Sequence, residues 1–311
     1  MIVLGSTNTD LVIRGSRLPS AGETVLGGRF FQAAGGKGAN QAVAAARAGS
    51  APVAFLGAVG DDEFGRQSLA GLKAENIDCQ FVRVIPGASS GVALILVDAR
   101  GENLISVASG ANLLLTKHDV ANPPDELFSA GRVFLASLEV PLLVVEAGLR
   151  RAKGAGLTTL LNPAPVSDAA AVRGLLPLVD VLTPNATEAS LLAGLPVNSP
   201  HAAAAAAKEL LAAGCRTVIV TLGAQGLLFA TQNGIERHLP AFRVSAVDTT
   251  AAGDCFSGVL AAALESGAEL PAAIRFAAAA AALSVTVAGA QPSLPRRAEI
   301  EAFLRMNEMT F

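Results

Sequence analysis

In the stretch "DTTAAGDCFSG" at residues 248–258, Asp248 and Asp254 bracket a run of small residues that leaves the backbone open to a ligand. Ala251, Ala252 and Gly253 precede Asp254 at the expected start of an apolar helix. Amides in a first helical turn have no intrahelical partner, and the helix dipole adds partial positive charge, so such a turn suits an anion. Asp254 beside a bound phosphoryl group can take the proton of an attacking hydroxyl. The same residue can equally be an N-terminal cap worth about 1 kcal/mol. Local sequence does not separate the two.

A second glycine-rich turn, "GGKGANQAVAAARAG" (35–49), runs into a small-residue helix. It can bring backbone and Asn40 close to a polar ligand, with Lys37 adding positive charge, or it can be a tight turn with Lys37 in solvent. "TPNATEA" sets Asn185 and Glu188 three apart, either to hold hydrated Mg²⁺ or simply to close a first helical turn. "TLGAQG" offers Thr221 and a glycine turn to a nucleotide phosphate, or a plain strand exit. Asp61 and Asp62 are expected to cap the helix that follows them. Neither G-x-x-x-x-G-K-[ST] nor G-x-G-x-x-G is present, so a P-loop is excluded and a dinucleotide fingerprint has no support.

The elements that must position these residues read as strands alternating with helices. "PVAFLGAV", "VFLASLEV", "GLTTLLNPAP", "VDVLTPN" and "TVIVTLGAQG" are continuous apolar runs of the kind found in a parallel sheet covered on both faces. Helices are expected over 63–76, 141–154, 202–213 and 253–266. The pattern predicts an α/β fold, a doubly wound, mainly parallel sheet flanked by helices. Segments within roughly 8–32 and 81–108 alternate and turn differently, with "DARGEN" as a hairpin connection, and predict a small antiparallel β lid. No linker divides the chain, so residues 1–311 are expected to form a single α/β domain.

Composition narrows the partners. The net charge is −3 without a basic cluster, which argues against nucleic acid. Three scattered cysteines and three isolated histidines form neither a disulfide framework nor a zinc site. The start "MIVLGSTNTD" has no basic n-region before a long apolar run, so no signal peptide is expected, and the apolar stretch 276–290 is too short to cross a membrane. A soluble cytoplasmic protein follows.

Taken together, the two glycine-rich stretches resemble the two signatures of the PfkB carbohydrate kinases. "LGSTNTD", "PSAGETV", "SLEVP", "LNPAP", "TPNATEA", "TLGAQG", "RFAAAAAA" and "GAQPS" follow in that family's order over nearly the whole chain. The resemblance implies a ribokinase-like fold and an ATP-dependent sugar kinase acting on O5 of D-ribose. A relative acting on 2-deoxyribose, another sugar or a nucleoside, and a silent binding regulator, are the alternatives. It places the sugar on Asn8, Thr9, Asp10, Gly36, Lys37, Gly38, Ala39, Asn40 and Glu139. ATP falls on Asn185, on the turn Thr221, Leu222, Gly223, Ala224, Gln225 and Gly226, and near Ala278. Ala251, Ala252 and Gly253 become the anion hole, Asp254 the base, and Glu188 the residue acting on Mg²⁺ through water. An activating K⁺ would lie near Asp248, Thr250, Ser284, Val287, Gly289 and Ser293, and a homodimer would form through the lid. Two positions depart from the family: Ala278, where relatives often carry Asn or His beside the base, and Val259, where a small residue is usual.

Overall fold

The computed structural model describes residues 1–308. Its strands are β1 (Ile2–Leu4), β2 (Asn8–Arg14), β3 (Arg29–Gly35), β4 (Val53–Gly60), β5 (Ile77–Asp78), β6 (Val82–Ile85), β7 (Gly91–Val97), β8 (Asn103–Ala108), β9 (Val133–Ser137), β10 (Thr158–Asn162), β11 (Val181–Leu182), β12 (Thr217–Thr221), β13 (Leu227–Thr231) and β14 (Glu236–Leu239). The helices are α1 (Lys37–Ala48), α2 (Glu63–Ala74), α3 (Lys117–Ala121), α4 (Asp125–Ala130), α5 (Leu142–Gly154), α6 (Ala169–Arg173), α7 (Ala186–Ala193), α8 (Pro200–Ala212), α9 (Ala252–Glu265), α10 (Leu270–Ser284) and α11 (Arg297–Glu308).

The main sheet runs β14-β13-β12-β11-β10-β9-β1-β4-β5, with β6 also paired to β4. It is parallel from β12 to β5, and β13 and β14 close one edge antiparallel. Strand alternation divides the core in two. Val3, with its neighbours Phe55 and Leu135, packs under α1, α9 and α10, while Leu4, Leu56 and Ala136 pack under α5, α7 and α8. Both faces are therefore covered, as the continuous apolar runs require. The alanine runs 202–207 and 277–282 lie in α8 and α10.

Small residues let the elements close in. A Cβ on Gly258 of α9 would stand 2.3 Å from the carbonyl oxygen of Gln41 on α1. Val259, beside it, is fully buried in the same core and is accommodated there. Asp62 caps α2 through the Gly65 amide, as expected, and its other oxygen accepts from the Ser90 amide at the foot of β7.

The second sheet runs β3-β2-β7-β8. Its two outer pairings are antiparallel and the "DARGEN" connection joins β7 to β8, but the central pair, β2 with β7, is parallel. The segment 82–85, expected within the lid, instead runs parallel to Gly57–Gly60 of the main sheet. Its four residues are too few to carry a pattern that distinguishes the sheets. Among the described residues, no helix is long and apolar enough to cross a membrane.

Candidate active site

The polar residues collect where the parallel strands end, which is where an open α/β sheet binds its ligands. Asp254 sits in the first turn of α9 and is 6% exposed. Its oxygens do not cap α9. Oδ2 accepts from Asn40 Nδ2 at 3.0 Å and Oδ1 from Gln41 Nε2 at 3.2 Å, both across the α1–α9 contact. The capping role open at the sequence level therefore falls away. Ala251, just before the helix, takes a left-handed backbone (φ 60°), a conformation that costs a non-glycine residue of order 1–3 kcal/mol. That turn brings Ala251, Ala252 and Gly253 to the wall of a polar chamber of about 210 Å³, also lined by Lys37, Asn185 and Glu188, with the Ala252 amide donating to the Thr249 carbonyl at 3.3 Å.

Carboxylates surround one cation. Burial works to lower the Lys37 ammonium's pKa, but Asp254, Glu139 and Glu188 outweigh it and hold the pKa above its usual value. Burial lifts the Asp254 carboxyl and Glu139 adds to that, against Lys37, Asn40 and Gln41, which favour the anion. Asp10 is pushed up to about 6, by burial first and then by Glu139 and Asp254. Glu188 is also raised, chiefly by burial. Raised carboxyl pKa values of Asp10, Asp254 and Glu188 around one lysine mark a functional site.

Asn8 and Thr9 are buried, and Asn8 Oδ1 accepts from Asn112 Nδ2 at 2.8 Å. Glu139 Oε2 accepts from Ser6 Oγ and, at 3.0 Å, from the Lys37 amide, which pins the turn before α1. Gly36 adjoins Asn8, and Gly38 lies so close to Gly5 that a Cβ would come within 2.6 Å of its backbone. Ala39 is core: its side chain is fully buried and its amide donates to the Ser6 carbonyl.

Asn185 and Glu188 form a reciprocal cap. The Glu188 amide donates to Asn185 Oδ1 at 2.8 Å, and the Asn185 amide to Glu188 Oε2 at 2.9 Å. The pair caps α7, and both residues also border the polar chamber. Side-chain oxygens reach the chamber from Asn162, Thr183, Asn185, Glu188, Thr221, Thr249, Asp254 and Ser257, and those of Asn185 and Glu188 are of the kind that suits hydrated Mg²⁺. Among the described residues no three His, Cys, Asp or Glu converge as direct metal ligands.

A second cavity of about 520 Å³ opens from the chamber and shares Thr221, Thr249, Ala252, Gly253 and Phe256 with it. Gly223, Ala224, Gly226 and Ala278 line it, together with Phe242 and Val285, and its size and apolar walls suit a nucleobase. Leu222 turns into the core on the other face of the sheet, and Gln225 is exposed, its carbonyl bonded to His238.

Asp248 gathers the remaining predicted loop. Oδ1 accepts from the Thr250 amide and hydroxyl, and Oδ2 from the Gly289 amide. Burial opposes, yet these donors and Arg14 hold its pKa below the usual carboxylate value. The Val287 amide bonds the Ser284 carbonyl, while Ser284 and Ser293 are buried with their hydroxyls on backbone carbonyls of their own turns.

Three carboxamides escaped the sequence reading. Gln41 follows the glycine turn directly, Asn162 ends a strand in "LNPAP", and Asn112 lies in the segment after β8 with no signal around it.

A doubly wound sheet with a β lid, an acid held over a helix N-terminus and a nucleobase-sized cavity define a phosphotransferase site. The model of the pfkB family of carbohydrate kinases matches residues 1–297. The chain is 42% identical over 307 residues to a ribokinase of Haemophilus influenzae, covering 98% of each. It is 39% identical over 310 residues to a deoxyribokinase of Salmonella typhi, covering 98% of this chain and 99% of that one. A structure of Arabidopsis thaliana ribokinase complexed with ribose and ATP superposes with a TM-score of 0.88 at 30% identity, covering 98% of both chains. The chain belongs to the pfkB family of carbohydrate kinases.

Proposed function

We propose that the protein transfers the γ-phosphoryl group of ATP to O5 of D-ribose, giving D-ribose 5-phosphate and ADP. One observation carries the reading: Asp254 is buried, held by donors on both oxygens, lines one chamber with Lys37, Ala251, Ala252 and Gly253, and bears electrostatically on Asp10 of the lid strand. Asn8, Thr9, Asp10, Asn40 and Glu139, with the Gly36–Gly38 turn, hold the sugar, and Asp254 takes the proton of its 5-hydroxyl. The amides of Ala251, Ala252 and Gly253 and the Lys37 ammonium face the charge that builds on the transferring group. Asn185, Thr221 and the Gly223–Gly226 turn border the phosphates, and the base lies against Ala278. Mg²⁺ held through water near Glu188 would neutralise phosphate charge.

The loop around Asp248, Thr250, Ser284, Val287, Gly289 and Ser293 is read as a K⁺ site, whose role would be to fix the carbonyls beside the α9 turn. The chain works as one α/β unit with its lid, and the lid is read as a dimer contact. Phe30, Ile13, Leu96 and Leu104 form a cross-strand row on the face opposite Asp10, and three of them are more than two-fifths exposed. Sedimentation of wild type and Phe30→Asp checks this, a monomeric wild type removing the dimer. Three free, buried cysteines suit a reducing, cytoplasmic compartment.

The likeness to a deoxyribokinase favours 2-deoxyribose as the second reading. ADP release with Mg-ATP across ribose, 2-deoxyribose, fructose and nucleosides, in K⁺ and in Na⁺, decides. A kcat/KM highest for ribose supports the proposal, one highest for deoxyribose moves the substrate, and equal rates in K⁺ and Na⁺ remove the cation site.

A further inference from the structure

Gln41 is 0% exposed and lies on α1, one residue beyond Asn40. Its Nε2 bridges two acceptors, Asn162 Oδ1 at 3.1 Å and Asp254 Oδ1 at 3.2 Å. Its Oε1 is buried with no hydrogen-bond partner among the described residues. A buried carboxamide oxygen left unpaired is costly, and a native structure keeps one only for a reason. Turning the amide over would set that oxygen against the Asp254 carboxylate and lose both bonds. The orientation is thus dictated by the acceptors, at the oxygen's expense.

The bridge belongs to a closed polar ring. Asn162 donates from Nδ2 to the Thr183 carbonyl at 2.9 Å, and Thr183 Oγ1 meets Ser257 Oγ at 2.9 Å. Ser257 stands three residues after Asp254 on α9, so the ring runs from α1 through the ends of β10 and β11 and back to the helix that bears the acid. Every member is 6% exposed or less. The close approach of Gly258 to the Gln41 carbonyl sets the spacing of α1 and α9 at the bridge itself.

We propose that Gln41 is a positioning residue for phosphoryl transfer: it fixes the side-chain rotamer of Asp254 and holds the carboxylate as an acceptor, anchored through Asn162 to the sheet. The proposal rests on the reading of Asp254 as the base. With Asn40 on Oδ2 and Gln41 on Oδ1, each carboxylate oxygen has a donor, which favours the ionised form that a base must have before it takes a proton. The charged groups that bear on Asp254 are Lys37 from the head of α1, Asp10 from β2, Glu139 beyond β9 and Glu188 from α7. Gln41 is a neutral donor among them.

The test is Gln41→Met, which keeps the volume and removes the donor. The Asp254 carboxyl is followed by ¹³C titration of labelled aspartate, assigned with Asp254→Asn, and kcat and KM are measured across pH. The titration midpoint should rise by about half a unit or more, because the anion has lost a hydrogen bond. The acid limb of kcat/KM should rise with it, and kcat should fall about tenfold with the KM for ATP unchanged. If Gln41→Met does not fold, Gln41→Asn, one methylene shorter, should move the midpoint in the same direction. An unchanged midpoint in a folded variant overturns the proposal and makes Gln41 a packing residue. The titration does not depend on turnover, whereas failure of the wild type to phosphorylate any sugar would overturn the functional reading instead.

Discussion

Nδ2 of Asn40 lies 3.0 Å from Oδ2 of Asp254, joining the first turns of two helices whose contacting residues are 214 apart in the chain. That contact ties the glycine-rich turn that borders Asn8 to the helix whose first turn lines the polar chamber. Asp254→Asn removes the proton acceptor and little volume. The variant should lose on the order of 10²–10⁴ in kcat while calorimetry finds ATP and sugar binding nearly intact. Retention of more than about a tenth of wild-type kcat would take the role of base away from Asp254.

Glu188 separates fold from chemistry. Its Oε2 accepts from the Asn185 amide, a bond that a carboxamide oxygen can also accept. Glu188→Gln should therefore keep the cap of α7 and hold the melting temperature within about 2 °C. The Mg²⁺ concentration for half-maximal rate should rise about tenfold, because the charge that attracts the hydrated ion is gone. An unaltered Mg²⁺ requirement would remove Glu188 from that role.

Asp10 makes stability depend on pH. Its carboxyl rises from 3.8 to about 6 on folding, so between those values the folded protein binds a proton that the unfolded chain releases. Stability from this group is greatest below pH 4, falls as the pH climbs through 6, and is fully lost above that. A shift of about two units corresponds to about 3 kcal/mol. Asp10→Asn should raise the melting temperature of the ligand-free protein at pH 8, change it far less near pH 4.5, and weaken sugar binding. Equal thermal shifts at both pH values would show that Asp10 is not the titrating group.

Gly258 tests whether helix spacing governs the site. Its missing Cβ would meet the Gln41 carbonyl oxygen at 2.3 Å and the Ala44 Cβ at 2.9 Å, so Gly258→Ala must push α9 from α1. Denaturant unfolding should show a loss of about 1–3 kcal/mol. The kcat should fall as well, since Asn40 and Gln41 reach Asp254 across the same contact. Normal kcat in a destabilised variant would uncouple packing from catalysis.

Features whose partners are near in sequence were legible from the chain. Asp62 and the Asn185–Glu188 pair act within one helical turn, and apolar runs announce buried strands wherever they fall. The order of short motifs carried the family. The two alternatives for Asp254 could not be separated from sequence, because a cap and a base look the same until the acid's partners, more than 200 residues upstream, are known. Gln41, Asn162 and Asn112 were missed for a related reason: a carboxamide in a helix or at a strand end acquires meaning only from what it faces. The strand 82–85 lacked enough residues to declare its sheet, and the parallel pairing of β2 with β7 follows from chain crossing, which alternation does not encode. Periodicity and local hydrogen bonding are properties of neighbouring residues, so the sequence by itself determined the elements, their doubly wound order and the stretches able to meet phosphate. Burial and hydrogen bonding across α1 and α9 are properties of packing, so only the tertiary structure decided that Asp254 has a donor on each oxygen and that Asn40 and Gln41 are the residues that hold it there.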